Sequence, residues 1–491
     1  MQKDLVERDR CTSFRHHPHR TTTDCCDVDQ VTIGILPDDI LLCIFNAHVD
    51  GTYERDGWHT LVHVCQRWRT LVFGSPRHLN LQLFCSSRTP VKKMLDAWPA
   101  LPIVVYYPYK DLDYQDQNMV NLIAAIKHND RVCKIDFCTF HDVSQLEEVV
   151  SAMQVPFPAL TDLEFVFVEE FETEVVIPDS FLDGSAPRLQ RLHLAGISFP
   201  GLPKLLLSAT DLVSLQLHLP HFWYISPDAM VTCLSASVRL KLFTLKFESR
   251  QDRDSRHLPP PTPTLLPALT SFRFQGVYEY AEDLMARIGA PLLHRLYITL
   301  FNETVPITPQ LSQFINRIPS FRALNGARIA FSDDEVRITF PLPIRRIGYE
   351  GLVLGISWDN SVGQLSFLAR LCRSFLPTLA MVEQLYIYGE GSLSPLHWPE
   401  NILHSQWLEL LHLFTGAKNL FLSDDLAPCI STILRQLAGE RRTEVFPALE
   451  NLFLHEYQQL WSVKEGFEAF VAARQLSGQP ITLRSWTSEL F

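Results

Sequence analysis

The sequence contains no run of apolar residues long enough to cross a bilayer. Its longest runs, such as Leu205-Leu206-Leu207 and Gly351 to Ile356, fall far short of the roughly 20 residues that a membrane helix needs. No membrane contact is expected. Positive charge is also in deficit. The formal net charge is −12 at pH 7, which removes any global attraction to nucleic acid or anionic lipid. The 11 cysteines are odd in number and irregular in spacing, which argues against a disulfide framework and for free thiols in a reducing compartment, the cytosol or the nucleus. Residues Met1 to Arg8 are charged and lack an apolar signal core, so export is not expected.

Signatures of chemistry are missing as well. There is no GxSxG elbow, no Walker A loop and no HExxH. Gly389-Glu390-Gly391 follows an expected strand, but no third glycine opens a helix after it, so it does not read as a dinucleotide site. Asp111, Asp113 and Asp116 have calcium-like spacing, yet the loop lacks the central glycine and the closing glutamate and reads as a solvated acidic loop. Cys25-Cys26, near His16, His17 and His19, lacks the CxxC geometry of a zinc site. The expectation is a protein that is not an enzyme and holds neither cofactor nor metal.

What is present begins at Ile35. The chain reads Ile35-Leu36-Pro37-Asp38-Asp39-Ile40-Leu41-Leu42-Cys43-Ile44-Phe45 and, after a spacer, His63-Val64-Cys65-Gln66-Arg67-Trp68-Arg69-Thr70-Leu71-Val72. Pro37 suits the first position of a helix, and Asp38 and Asp39 then meet the positive end of the helix dipole. Ile40, Leu41, Ile44 and Phe45 recur at helical spacing; Trp58, Leu61, Val62, Cys65 and Trp68 do so again. A unit of about 40 residues rarely closes a sufficient core alone, so part of this apolar surface requires a cover from another chain or from the following domain.

These two stretches, in this order and near the N-terminus, resemble an F-box. The resemblance extends through Trp58-His59-Thr60-Leu61-Val62 and Phe73 to Leu81 as far as Trp98-Pro99-Ala100-Leu101-Pro102, as in F-box proteins of the kind abundant in fungi. It departs from the family between the helices, where many members have a short connector and this chain has Asn46 to Asp56. The resemblance implies docking to the small Skp-type adaptor of a cullin-based ubiquitin ligase. Leu36, Pro37, Ile40, Leu41, Ile44, Val64, Cys65 and Trp68 are then the residues of that interface or of the packing that shapes it.

From residue 130 onward a second pattern returns: apolar, two others, apolar, one other, apolar. It is the strand signature of leucine-rich repeats. Instances are Val132/Ile135/Phe137, Leu160/Leu163/Phe165, Leu189/Leu192/Leu194, Leu212/Leu215/Leu217, Leu242/Leu245/Phe247, Leu269/Phe272/Phe274, Leu293/Leu296/Ile298, Val382/Leu385/Ile387, Ala417/Leu420/Leu422 and Leu449/Leu452/Leu454. Proline precedes several of them, at positions 158, 187, 267, 291 and 447. Between Leu296 and Leu385 the pattern is interrupted, and Ile329 to Phe331 and Val336 to Phe340 read as a hairpin around Ser332-Asp333-Asp334-Glu335. Helical spacing recurs between the strands, over Leu146 to Met153, Tyr280 to Ile288, Ser366 to Leu376, Gln406 to Phe414, Leu426 to Leu437 and Gly466 to Ala473. The asparagine ladder of regular repeats is missing, so the fold expected is α/β: a small helical F-box followed by an irregular leucine-rich-repeat-like α/β solenoid.

The domain reading is a flexible leader over 1–30, the F-box over 31–80, a connecting segment over 81–130 and the repeat domain over 131–491, with a mobile proline-rich loop from Gln251 to Pro263. Within each Leu-x-Leu the middle residue faces outward. Those residues are Asp136, Glu164, His193, Gln216, Lys246, Arg273, Tyr297, Tyr386, Phe421 and Phe453, and the aromatic ones, Tyr297, Tyr386, Phe421 and Phe453, are the candidates for contact with a protein substrate. Phe222-Trp223-Tyr224, Trp398 and Trp407 read as core first and surface second. Glu169 to Glu174 and Asp333 to Glu335 read as solvated edges. The functional expectation is a substrate-recognition adaptor of an SCF-type ligase. A non-catalytic scaffold acting outside ubiquitin transfer is the alternative, and a hydrolase with a scattered site comes third.

Overall fold

A computed structural model describes residues 33–486, except 52–56, 87–89, 108–114, 141–142, 168–174, 249–261, 302–308, 323, 333–334, 342–349, 358–363, 374–378, 391–399, 438–444 and 456–460. The leader with Cys25-Cys26, Asp111 and Asp113, Glu169 to Glu174, most of the proline-rich loop, Asp333-Asp334 and Trp398 lie outside the described residues. The chain divides into two units, Met1–Leu81 and Gln82–Phe491.

Among the described residues the first unit holds three α-helices, α1 (Asp38–Gly51), α2 (Gly57–Val62) and α3 (Gln66–Gly74). The carbonyl of Pro37 accepts the first helical bond, from the Leu41 N–H at 3.0 Å, so Pro37 caps α1 instead of occupying its first turn. The sequence pattern from Trp58 to Trp68 reads as one apolar face, but it is broken. Cys65 is extended (φ −157°, ψ 170°) and starts α3 afresh, so Trp58, Leu61 and Val62 come from one helix and Trp68 and Val72 from the next. Their interior contains Leu41, Phe45, Trp58, Leu61, Val62, Val72, Leu79 and Leu81, with Phe45 against Trp68 at 4.6 Å between ring centroids. α1 runs on through Asn46 to Gly51, the stretch where the family resemblance fails.

The second unit is mixed α/β around a 16-stranded sheet. Its strands are β1 (Leu83–Ser86), β2 (Ile103–Tyr107), β3 (Val132–Phe140), β4 (Asp162–Phe167), β5 (Arg191–Ala195), β6 (Ser214–Leu219), β7 (Leu242–Phe247), β9 (Ser271–Gly276), β11 (Arg295–Leu300), β12 (Gly326–Phe331), β13 (Glu335–Pro341), β14 (Glu350–Ser357), β15 (Gln384–Gly389), β16 (Asn419–Leu422), β17 (Asn451–His455) and β18 (Thr482–Trp486). A separate pair joins β8 (Thr264–Leu265) to β10 (Ile288–Gly289). The spatial order is β1 to β7, β9, β11, β14, β13, β12, β15, β16, β17, β18. Strands β1 and β2 come from the segment read as a connector. Ile103 to Tyr107 is a continuous apolar run without the repeat spacing, which is why the pattern does not reveal it.

The repeat has a backbone signature. Many strands are led in by a turn whose last N–H belongs to the first apolar residue of the pattern: Leu160 to the Phe157 carbonyl, Leu189 to Ala186, Leu212 to Ala209, Leu269 to Leu266, Leu293 to Ala290 and Leu449 to Phe446. Pro158, Pro187, Pro267, Pro291 and Pro447 sit second in their turns, where a fixed φ is pre-set for the turn and no donor is required. One carbonyl of the preceding repeat then accepts two successive N–H groups of the next, as Gln190 does from Val213 and Ser214, and Lys418 from Glu450 and Asn451.

The same signature corrects one register. The turn before β7 ends at Leu240, bonded to Ser237, so the pattern there is Leu240/Phe243/Leu245 and not Leu242/Leu245/Phe247. Phe243 pairs with Leu215 and Phe272 and is fully buried. A shift of two preserves the face, so Lys246 still points with the outward residues, one row further along, and Thr244 takes its place.

Between β11 and β15 the parallel order is interrupted by an insertion. The expected hairpin is present, pairing Arg328 with Thr339 through Phe331 with Val336. Gly351 to Ile356 forms β14, which lies parallel to β11 and antiparallel to β13. The helices Leu202–Ser208, Pro227–Ser235, Tyr278–Arg287 and Pro309–Arg317 pack each on the next, as do Glu400–Leu411, Ala427–Leu437 and Trp461–Leu476. Right-handed crossovers between parallel neighbours that always step the same way place such helices on one face of the sheet and leave the other face to the strands. Arg287, almost wholly buried, joins two of these helices by ion pairs to Asp283 at 2.8 Å and to Asp228. Trp407 is buried against Phe331, a core residue as the sequence suggests.

Candidate functional site

Two surfaces, one in each unit, carry side chains that folding does not use up. In the first unit, α1 has two apolar stripes. Leu41 and Phe45 turn inward, whereas Ile40 and Ile44, four residues apart on the neighbouring stripe, remain 44% and 40% exposed. Ile33 (49%), Ile35 (67%) and Val64 (58%) are exposed too, and so are Pro37 and Cys65. Of the eight residues proposed for the adaptor interface, five are thus open to solvent. Leu36 and Trp68 are half-buried, and Leu41 is core. Ile33 and Ile35 were not in that set; their signal is the apolar spacing Ile33, Ile35, Leu36 just ahead of the helix.

The ends of this surface are tied down by Arg67. Its Nη2 donates to the Leu36 carbonyl at 2.6 Å, and its Nε donates to the Asp38 carboxylate at 3.1 Å. Arg69 Nε donates to the Val62 carbonyl at 2.9 Å. The arginines of the Gln66-Arg67-Trp68-Arg69 stretch therefore fix where Leu36-Pro37 and the α2–α3 break lie. The Arg67–Asp38 pair is exposed, so its role is positional and its contribution to stability small.

In the second unit, cross-strand register lines up one residue of the strand face per strand: Asp136, Glu164, His193, Gln216, Thr244, Arg273, Tyr297, Val353, Thr339, Arg328, Tyr386, Phe421, Phe453 and Arg484, from β3 to β18; Asp136, expected to face outward, is buried, as are Thr244, Val353 and Thr339. Its start is polar and internally paired. His193 Nδ1 lies 3.0 Å from Glu164 Oε1, and this hydrogen bond holds the Glu164 carboxyl below its usual range. Its middle is cationic. His218 is pushed down to about 4, first by burial and then by Lys246, His193 and Arg273; Lys246 is lowered by burial and by Arg273.

The far end is aromatic. Tyr386 and Phe421 stack at 4.2 Å with 11° between planes, and Phe421 and Phe453 at 4.3 Å with 7°. Neighbouring strands lie about 4.8 Å apart, so in-register rings on three successive strands must stack in this way. Arg328 lies over the Tyr386 ring at 5.7 Å and Arg484 over Phe453 at 6.0 Å, so a guanidinium flanks the stack on each side. Trp486 stands edge-on to Phe421 at 5.8 Å, and its Nε1–H donates to the Leu422 carbonyl at 3.3 Å.

Tyr386, Phe421 and Phe453 are thus brought together. Tyr297 is not with them: three strands of the insertion separate β11 from β15. It lies under Arg273 at 4.4 Å, and its hydroxyl donates to Glu335 at 3.4 Å. The Glu335 carboxylate also accepts from Thr299 at 3.3 Å and occupies the space above Gly355, where any Cβ would collide with it. Arg337 donates to Glu390 at 2.6 Å. Arg328, Arg484 and Trp486 escape the sequence reading because the first belongs to the insertion and the other two to a strand without the apolar triplet.

Among the described residues no three His, Cys, Asp or Glu side chains cluster as metal ligands do, and no helix is long and apolar enough to cross a membrane. No protein-family model matches this chain, and no curated protein matches it.

Proposed function

We propose that the protein is a non-catalytic, substrate-recognition adaptor. In this reading the first unit is an F-box that docks to a Skp-type adaptor and through it to a cullin, and the second is an irregular leucine-rich-repeat-like solenoid whose strand face holds a protein substrate. One observation carries the reading: Ile35, Pro37, Ile40, Ile44 and Val64, at and around the Leu-Pro-Asp-Asp stretch that resembles the F-box, remain exposed on a small helical unit whose core is already filled by Leu41, Phe45 and Trp58. The stacked row of Tyr386, Phe421 and Phe453 supports the second half, because aromatic rings are enriched in protein interfaces.

The test is co-purification of the full chain with a Skp-type adaptor and a cullin. Ile40→Ser with Ile44→Ser is expected to weaken adaptor capture by more than about tenfold, as truncation of interface anchors commonly does. Unchanged capture by the double variant rejects the assignment. The extension of α1 through Asn46 to Gly51 favours the second reading, an F-box-like scaffold outside ubiquitin transfer, since it alters the spacing between the two recognisable stretches. Adaptor capture without cullin would select it.

A further inference from the structure

The middle of the strand face of the second unit carries cations on adjacent strands. Most carboxylates placed on that face from β4 onward are engaged by the chain itself: Asp162 with Arg191, Glu164 with His193 at 3.0 Å, Glu335 with Tyr297 and Thr299, Glu390 with Arg337, and Asp424 with His455 at 3.2 Å; Glu248, two residues beyond Lys246, is raised by burial and faces His221. The cations are not matched. Among the described residues, Lys246, Arg273 and Arg484 have no carboxylate partner. Lys246 and Arg273 occupy adjacent strands, beside His218 on the next. Burial first, and their mutual repulsion second, lower Lys246 and His218, and an arriving anion would relieve that repulsion. In a chain of net charge −12 this patch is a local exception in sign, and an acidic partner complements it.

The aromatic stack is on the same face. From Arg273 on β9 to Tyr386 on β15 there are five strand steps, about 24 Å at the usual spacing, which an extended chain of roughly seven residues covers. A segment lying along this line crosses the strands instead of extending them, so it is read by its side chains.

We infer that the strand face binds an extended acidic segment of a partner protein, with its carboxylates at Lys246 and Arg273 and its aromatic or aliphatic side chains along Tyr386, Phe421 and Phe453. This rests on the substrate-holding half of the function proposed above and gives it a chemical class.

The test uses the full chain and three labelled synthetic peptides read by fluorescence anisotropy: one with a glutamate cluster followed by spaced phenylalanines, one with glutamine in place of glutamate, and one with phosphoserine there. The glutamate peptide is expected to bind at least about tenfold more tightly than the glutamine peptide, with an affinity that falls as salt rises. Lys246→Gln with Arg273→Gln should abolish that preference and leave the weak affinity of the glutamine peptide. Lys246→Arg, which retains the charge, should keep the preference. Phe421→Leu should weaken both peptides together. Equal binding of glutamate and glutamine peptides, binding of the phosphoserine peptide alone, or self-association of the chain in place of peptide binding would each overturn the inference. So would an unchanged preference in the double glutamine variant with a normal melting profile. Adaptor capture measured on the same samples separates the two ideas: capture without peptide preference overturns this inference alone, and peptide preference without capture overturns the adaptor role alone.

Discussion

The two units treat apolar surface differently. Within residues 33–81, five large apolar side chains stand exposed, Ile33, Ile35, Ile40, Ile44 and Val64, and four of the five flank one short stretch of the chain from Ile33 to Ile44. In the far longer second unit the exposed ones, such as Val120, Leu207, Leu292 and Met381, are scattered singly across separate elements. Scattered exposure is ordinary for a protein surface; a cluster on a unit too small to bury more is a surface waiting for a cover. The second unit instead exposes aromatic rings already stacked on one another, half-buried by their own neighbours. One surface is held by α1 and a turn, the other by a ladder of strands.

The largest effect should come from removing the core that backs the exposed stripe. Trp58→Ala is expected to cost about 3–5 kcal/mol, enough to unfold the first unit, and chemical denaturation followed by far-UV circular dichroism measures it. Phe421→Ala comes next. It removes both stacking contacts of the row at once, each worth about 0.5–1.5 kcal/mol, so it should destabilise more than Tyr386→Ala or Phe453→Ala. If all three cost the same, the stack contributes nothing beyond burial.

His218 gives a pH signature confined to the second unit. Its folded pKa, about 4, lies below the ordinary value of 6.5, so between these the unfolded chain binds a proton that the folded chain refuses. Stability should therefore rise with pH across that window by something on the order of 1 kcal/mol, the side chain being partly solvated. His218→Gln should flatten this part of the profile. A slope that survives the substitution assigns it elsewhere.

The smallest stability effect is predicted where the effect on binding is largest. Ile40→Ser with Ile44→Ser should change unfolding free energy by no more than about 0.5 kcal/mol per site, because both residues already face solvent. If that variant instead melts like Trp58→Ala, the two stripes of α1 serve one core and the contrast between the units disappears.

Legibility followed the range of the interactions. The strand triplets were readable because alternation of side chains is local to each strand, and α1 was readable from Asp38 and Asp39 and the spacing of its apolar residues. The break at Cys65 was not, since its extended backbone is set by how α2 and α3 pack and not by any glycine or proline. Nor was the placement of β14 beside β11 and of β12 beside β15, which is fixed by pairings between strands far apart in sequence, although the β12–β13 hairpin between them was readable. At the candidate surfaces, Ile40, Ile44 and Val64 were named through the resemblance to the F-box, and Tyr386, Phe421 and Phe453 through repeat spacing. Arg328 and Arg484, which flank those rings, were found only by register.

The insertion also fixes an order of events during synthesis. Each parallel strand up to β11 finds its upstream neighbour already made when it leaves the ribosome. For β12 both neighbours, β13 and β15, are still to come, and β11 keeps a bare edge until β14 is delivered. An unpaired edge of a growing sheet is a place for wrong partners. A chain stalled between Phe331 and Glu350 would thus carry two ladders with open backbone groups, and this interval, more than either unit's own core, is where a chaperone would have something to hold.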